Sequence, residues 1–275
     1  MANADPKTGY APVNGLEMYY EVHGKGDPVV VLHGAYMTID AVGELVPSLA
    51  ETRQVIAVEM QGHGRTADID RPITYEQMAD DTAALLRHLG TGQADIFGFS
   101  MGGGVALQLS IRHPGLVRKL VVASASYTSD GMQPELHEMI PGITPERFAG
   151  SPIEAAYLEV APNPGDFPGL VEKLKRLDMT PFAWPAEDVR GIEAPTLIVV
   201  GDSDAIRLEH AVETFRLLGG GVMGDLAGLP RSQLVVLPGT AHFIPPGSGV
   251  LDRAGWLVPM IREFLDAPVP REETA

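Results

Sequence analysis

Two rhythms of apolar residues alternate along this chain. Short runs dense in β-branched and aromatic residues predict strands: "GLEMYYEVHG" from Gly15 to Gly24, "DPVVVLHG" from Asp27 to Gly34, "RQVIAVEMQGHG" from Arg53, "ADIFGF" from Ala94, "VRKLVVASAS" from Val117, "APTLIVVGDSDA" from Ala194 and "SQLVVLPGTAH" from Ser232. Between them the apolar spacing lengthens to that of helices. It does so in "AVGELVPSLAE", after Thr74, in "MGGGVALQLSIRHP", in "IRLEHAVETFRLLG", and in a closing stretch with Trp256, Leu257, Met260, Ile261, Phe264 and Leu265. The helix after Thr74 is the best marked. Thr74 and Gln77 have capping-box spacing, Met78, Thr82, Leu85, Leu86 and Leu89 follow at helical intervals, and Gly90 stops it. Pro259 must kink the closing helix or mark its first turn.

Alternation of strand and helix predicts an α/β protein with a mostly parallel central sheet flanked by crossover helices. The rhythm breaks between Tyr127 and Asp188 into short Pro- and Gly-rich segments, with a capped start at Ser151, Pro152 and Glu154 and a helical "GLVEKLKRLD". Residues 1–126 and 189–275 are therefore expected to form the core, with residues 127–188 inserted as a helical lid. "GGGVMGDLAGLPR", from Gly219 to Arg231, is longer than a helix-to-strand link needs and reads as a loop or second mobile flap. The tail "APVPREETA" should fray.

Composition narrows the function classes. A chain of 275 residues, 45% hydrophobic and 20% charged, suits one soluble α/β domain with an insertion. Thirty-six acidic residues against 20 basic ones give a net charge of -16, which repels phosphate backbones and anionic membranes. Nucleic acid and membrane are thus not expected partners, and a small molecule is. The charges are scattered, as on a well-solvated surface, so the acidity itself is assigned no function. The absence of cysteine removes disulfides, thiol catalysis and thiolate metal sites together. "MANADPKTGY" lacks a basic segment followed by an apolar core, and no run approaches the ~18 apolar residues of a membrane span, so a cytoplasmic monomer or homodimer is expected. No HExxH, His–carboxylate cluster or Walker A pattern occurs, and neither a metal nor a cofactor is expected.

The chemistry starts at "GFSMGGG". Ser100 follows an apolar strand, opens a helix, and is hemmed by Gly98, Gly102, Gly103 and Gly104. That is the placement of a nucleophile elbow, where glycines let strand and helix approach and the serine sits on a strained turn. Serine needs a base to take its proton and an acid to orient that base. Of eight histidines only His210 and His242 follow the insertion, and His210 falls in a helix that reads as surface. His242, in the loop after the last strand, is the expected base. Past another strand end, "GDSDA" offers Asp202 and Asp204; Asp204 is taken as the acid and Asp202 as a helix cap or turn former. Two backbone amides should hold the developing oxyanion, those of Met101 and of Ala35, after "VVVLHG". His33 is expected to brace its loop and His63 to shape a tight turn. Tyr36, Met132, Phe148, Tyr157 and Trp184 are the candidate substrate-binding residues, with Met139, Phe167 and Phe182 as further apolar lid residues that could line a pocket.

These segments resemble the α/β-hydrolase superfamily: "LHGAY" its oxyanion loop, "GHGRT" its GHG segment, "GFSMGG" its elbow, "GDSDA" its acid loop and "GTAH" its histidine loop. The order matches over nearly the whole chain. The elbow followed by Met101 is similar to the cofactor-free haloperoxidase and esterase branch. "GYAPVNGLEMYYEVHG" and "GGGVMGDLAGLPRSQLVVLPGT" resemble serine esterases that open macrolide antibiotics. The resemblance implies a carboxylic-ester or lactone hydrolase with Ser100, His242 and Asp204 as triad and Ala35 and Met101 as oxyanion donors. Perhydrolysis, carbon–carbon bond hydrolysis with the same triad, and a non-catalytic ligand receptor are the alternatives. Glu59 and Gln61 depart from the aspartate and arginine usual before GHG, as Arg65 and Thr66 do after it, which bears on pocket shape.

Overall fold

The structure, a computed structural model, describes residues 5–268. In chain order the elements are β1 (Lys7–Val13), β2 (Leu16–Gly24), β3 (Pro28–Leu32), α1 (Leu45–Leu49), β4 (Gln54–Val58), α2 (Tyr75–His88), β5 (Ala94–Phe99), α3 (Met101–Arg112) and β6 (Val117–Ala123). Four helices follow, α4 (Pro134–Met139), α5 (Pro152–Val160), α6 (Phe167–Met179) and α7 (Ala186–Arg190). The chain then resumes with β7 (Thr196–Ser203), α8 (Leu208–Leu217), α9 (Gly224–Ala227), β8 (Gln233–Ala241) and α10 (Ala254–Asp266).

The eight strands form one sheet in the order β1-β2-β4-β3-β5-β6-β7-β8, antiparallel at β1–β2 and β2–β4 and parallel elsewhere. Both faces are covered, as a parallel sheet requires, and the period of two along each strand deals residues to opposite layers. Val30, Leu32 and Ile96 pack with α2 and α3, while Val29, Val31 and Phe97 pack with α1 and α10. On the second layer Lys119, buried in β6, donates to the carbonyls of Phe264, Leu265 and Ala267, satisfying the open end of α10.

Several expectations needed revision. β1 was not anticipated, although Asn14-Gly15 is the two-residue hairpin signal: both residues have positive φ (49° and 89°), and Val13 pairs with Leu16 across them. The helix expected over "AVGELVPSLAE" shrinks to α1, because Gly43 at φ 66° ends a short 3₁₀ turn before it. Only half of the capping box forms at α2. Thr74 Oγ1 accepts from the Gln77 amide (3.1 Å), but the Gln77 side chain turns forward to Asp81 (3.1 Å). Pro259 lies within α10, not at its first turn. The 219–231 stretch holds one short helix, α9, with Met223, Leu226 and Leu229 exposed. Of the tail expected to fray, residues 269–275 lie outside the described residues. Among the described residues no helix is long and apolar enough to cross a membrane.

The helical segment between β6 and β7 leaves and rejoins the core at one neck. There Thr128 bridges Ala183, the Ser129 amide donates to the Phe182 carbonyl (2.8 Å), and the Trp184 amide donates to the Tyr127 carbonyl (3.1 Å). The expected end of the insertion, Asp188, falls inside α7, whose Val189 is buried in the core.

The join of β5 to α3 is the tightest point of the fold. A Cβ on Gly98 would lie 2.1 Å from the Gly102 carbonyl oxygen, and one on Gly102 would lie 2.3 Å from that of Leu32. Both obstacles are backbone, so neither can swing aside. We expect Gly98→Ala to cost ~3 kcal/mol or more, as overpacking does, seen as a Tm roughly 6–12 °C lower by scanning calorimetry. An unchanged Tm would show that the β5–α3 contact can relax.

Candidate active site

Ser100 occupies the turn between β5 and α3 at φ 54°, a conformation that costs a non-glycine residue on the order of 1–3 kcal/mol. The turn is held by backbone bonds, from the Ser100 amide to the Ala123 carbonyl (2.9 Å) and from the Gly103 amide to the Ser100 carbonyl (2.8 Å). It presents the hydroxyl above the carboxyl ends of the strands, where β7 and β8 also end in loops. From the β8 loop His242 brings Nε2 to 2.9 Å from Ser100 Oγ. From the β7 loop Asp204 brings Oδ1 to 2.8 Å from His242 Nδ1.

Asp204 is buried and richly bonded. Its Oδ2 accepts from the Ser124 hydroxyl (2.6 Å) and the Gly201 amide (3.0 Å), and its Oδ1 also accepts from the Ile206 amide (3.2 Å). Burial pushes its carboxyl up, but the His242 hydrogen bond and charge, the Ser124 hydroxyl and the Gly201 amide outweigh that and hold it below its ordinary value. An ionised Asp204 can only accept, so Nδ1 of His242 carries the proton and Nε2 is left to accept from Ser100. His242 stacks on Phe99 with ring centroids 5.1 Å apart, which fixes its plane.

The amides of Ala35, after β3, and of Met101, the first residue of α3, flank Ser100, and among the described residues neither donates within the protein. Among the described residues, three of the four non-glycine residues with positive φ, Tyr36, Ser100 and Ser124, lie at this site. Ser124 was not anticipated as part of it. Its only sequence signal is a hydroxyl at the end of "VRKLVVAS".

Two buried histidines hold the loop that carries Ala35. His33 donates from Nδ1 to the Gly34 carbonyl (2.8 Å) and accepts at Nε2 from the Met60 amide (3.2 Å). His63 donates from Nδ1 to the Gln61 carbonyl (3.0 Å) and accepts at Nε2 from the Tyr36 amide (3.3 Å). Burial lowers His33 to about 3, with help from His63, and lowers His63 to about 4, so both rings are neutral at pH 7. Glu59, fully buried, accepts from the Ile39 amide (3.3 Å) and pairs with Arg65 (2.8 Å). Gln61 ties Asp68 (2.8 Å) to Arg71 (2.6 Å). These residues set the loops behind the site, and none of Glu59, Gln61, Arg65 or Thr66 reaches the cavity.

A cavity of about 460 Å³ opens over Ser100. Tyr36, Met132, Phe148, Met139 and Phe182 line it, together with Ser100, His242, Ala35 and Met101. Tyr157 and Trp184 do not. Tyr157 is buried against Phe167 (5.0 Å), itself behind the wall, and Trp184 is buried against Tyr75 (5.5 Å) and Phe182 (5.0 Å), so both serve the packing of the helical segment. His210 is not on the surface, for it is 5% exposed, stacks on Tyr127 and accepts from the Tyr127 amide (3.2 Å). Asp202 caps no helix; it accepts from the Gly239 (2.8 Å) and Thr240 (3.0 Å) amides, steadying the strand that leads to His242. Among the described residues no three His, Asp or Glu side chains converge as metal ligands would.

The alpha/beta hydrolase fold family matches residues 27–158, from β3 through the elbow into α5. The chain has the α/β-hydrolase fold. It is 27% identical to a non-heme haloperoxidase of Rhodococcus erythropolis, over 83% of this chain and 90% of that one. It is 26% identical to the pimeloyl-[acyl-carrier protein] methyl ester esterase of Yersinia enterocolitica, over 82% and 90%. Its fold is that of the 2-hydroxy-6-oxo-6-phenylhexa-2,4-dienoate hydrolase of Rhodococcus sp. strain RHA1, with a TM-score of 0.73 at 22% identity over 96% of this chain and 99% of that one.

The neutral His63 has a consequence for stability. Above its ordinary value of 6.5 the ring is uncharged folded or unfolded. As pH falls from about 6.5 towards about 4 the unfolded chain takes a proton that the folded ring refuses. Stability is thereby lost with falling pH, at up to ~1.4 kcal/mol per pH unit. Urea titrations of wild type and His63→Gln across that window should differ in slope by about this amount, the variant being flatter. Parallel curves would mean that the folded ring titrates normally.

Proposed function

We propose that the chain hydrolyses a carboxylic ester or lactone by acyl transfer through Ser100. The observation that carries this is the pair of contacts at His242, 2.9 Å to Ser100 Oγ and 2.8 Å to Asp204 Oδ1, above an apolar cavity. In this reading Ser100 Oγ attacks the carbonyl carbon as His242 Nε2 takes its proton, and the Ala35 and Met101 amides receive the oxyanion. His242 then gives that proton to the departing alkoxide oxygen, leaving an acyl-Ser100 ester. Water, deprotonated by His242, attacks the ester and restores the serine hydroxyl. From a lactone the alcohol stays tethered, and the product is the hydroxy acid.

The cavity supports ester over carbon–carbon cleavage. The dienoate named for the Rhodococcus enzyme is an anion, whereas no Lys or Arg lines this cavity. Its volume falls in the range of sites for drug-sized ligands. A macrolide-type macrocyclic lactone is the finer proposal, with Tyr36, Met132 and Phe148 contacting it and the helical segment 127–188 acting as a lid. The methyl ester esterase among the relatives adds support for oxygen-ester chemistry.

Ser100→Ala should lower kcat about 10⁶-fold and abolish labelling by a fluorophosphonate, and Asp204→Asn should lower it about 10⁴-fold. Mass spectrometry over a panel of short esters and large lactones should find gain of one water with wild type only. Equal conversion by Ser100→Ala would remove the serine from the mechanism.

A further inference from the structure

One group in the cavity has no part in acyl transfer. Asp178 sits in the last turn of α6, on the stripe that carries Val171 and Leu174, and lines both the cavity and a smaller pocket beside it with Ser129 and His137. An acid there opposes the helix dipole, which favours cations at that end. Among the described residues it has neither a hydrogen bond nor an ion pair. Burial alone raises it to about 7. A half-buried carboxyl on a cavity wall that no protein group neutralises is open to a ligand that brings the opposite charge.

Its surroundings identify that ligand. The hydroxyl of Tyr36 is buried without a hydrogen-bond partner, and the charge of Asp178 raises both the Tyr36 and Tyr75 phenols, which are already raised by burial. Tyr36 packs on Phe148 (4.9 Å) and Tyr75 on Phe182 (5.2 Å), and all four rings line the same cavity as the acid. The only other ionisable groups on the cavity wall are His242, which serves the serine, and these two phenols. A carboxylate among aromatic faces, with an acceptor-capable phenol and no competing cation, matches a protonated amine: the charge pairs with the acid, the N–H donors find oxygens, and the N-alkyl groups rest on rings.

We propose that Asp178, with Tyr36, is the recognition site for a protonated alkylamine on the substrate, remote from the carbonyl that Ser100 attacks. This rests on the acyl-transfer reading for its catalytic consequence, though not for binding itself. The preferred ester or lactone is then a cationic one, and anionic acyl chains are excluded.

The test uses ethyl ω-(dimethylamino)alkanoates of increasing chain length, each paired with the neutral branched alkanoate of the same shape and with the ω-hydroxy ester. Wild type should favour the amine over its isostere at one chain length by about tenfold or more, chiefly in KM. Asp178→Asn should remove that selectivity, and because it deletes an unpaired acid its Tm should not fall. Absence of selectivity at every length, survival of it in Asp178→Asn, or equal preference for the hydroxy ester would overturn the proposal. Calorimetric titration of N,N-dimethylhexylamine hydrochloride into Ser100→Ala, and into Ser100→Ala carrying Asp178→Asn, separates the two readings. Binding lost with the second substitution supports the subsite even if no ester is turned over, and equal binding by both proteins defeats it even if esters are hydrolysed.

Discussion

The close approach of β5 and α3 is the constraint from which the site follows. Gly98 and Gly102 leave less than a carbon atom's room between strand, helix and the end of β3. The chain can pass from β5 to α3 only through the positive φ of Ser100. That turn frees the first amides of α3 and lifts the hydroxyl off the sheet. Because the parallel strands all end at the same rim, the loops after β3, β7 and β8 reach the hydroxyl without any long excursion. Proximity of Ser100, His242 and Asp204, 38 to 142 residues apart in pairs, is thus a property of sheet topology before it is one of side chains.

Around this rim the charges are sorted by burial. His33 and His63 are neutral because a buried imidazolium would go unpaired, and neutral rings can each give one hydrogen bond and take another, which the backbones of the loops after β3 and β4 use in full. Asp204 stays ionised because four donors surround it. Asp178 has none, and burial wins there. Two aspartates of one site are driven in opposite directions by their surroundings, which is how a single fold can hold a fixed negative charge and a switchable one.

What could be read from residues alone follows the reach of the physics. The alternation of elements, the elbow and the loops carrying His242 and Asp204 are local signals, so strand ends and glycine spacing expose them. Directions of side chains are not local. Tyr157 and Trp184 belong to the helical segment, but which way each ring turns depends on Phe167, Tyr75 and Phe182, and nothing in the spacing says that they face inward from the cavity wall. His210 looked superficial because α8 is amphipathic with many charges; its burial comes from the Tyr127 ring of another element. β1 was missed for a different reason. Gly9 and Pro12 lower its strand propensity, and only the Asn14-Gly15 turn announces it.

Asp178 joins both lessons. On the sequence it is a polar residue in register with Val171 and Leu174, an apparent flaw in an amphipathic stripe, and a flaw of that kind is ordinarily solvated or paired. Here the helix end brings it, half-buried, to the cavity wall, where among the described residues no cation pairs with it. The loop after β3 reaches the same cavity through Tyr36, whose positive φ and buried hydroxyl are two further departures from what is locally favourable. Unfavourable choices on two independent elements, converging on one corner of one cavity, are hard to reconcile with packing alone.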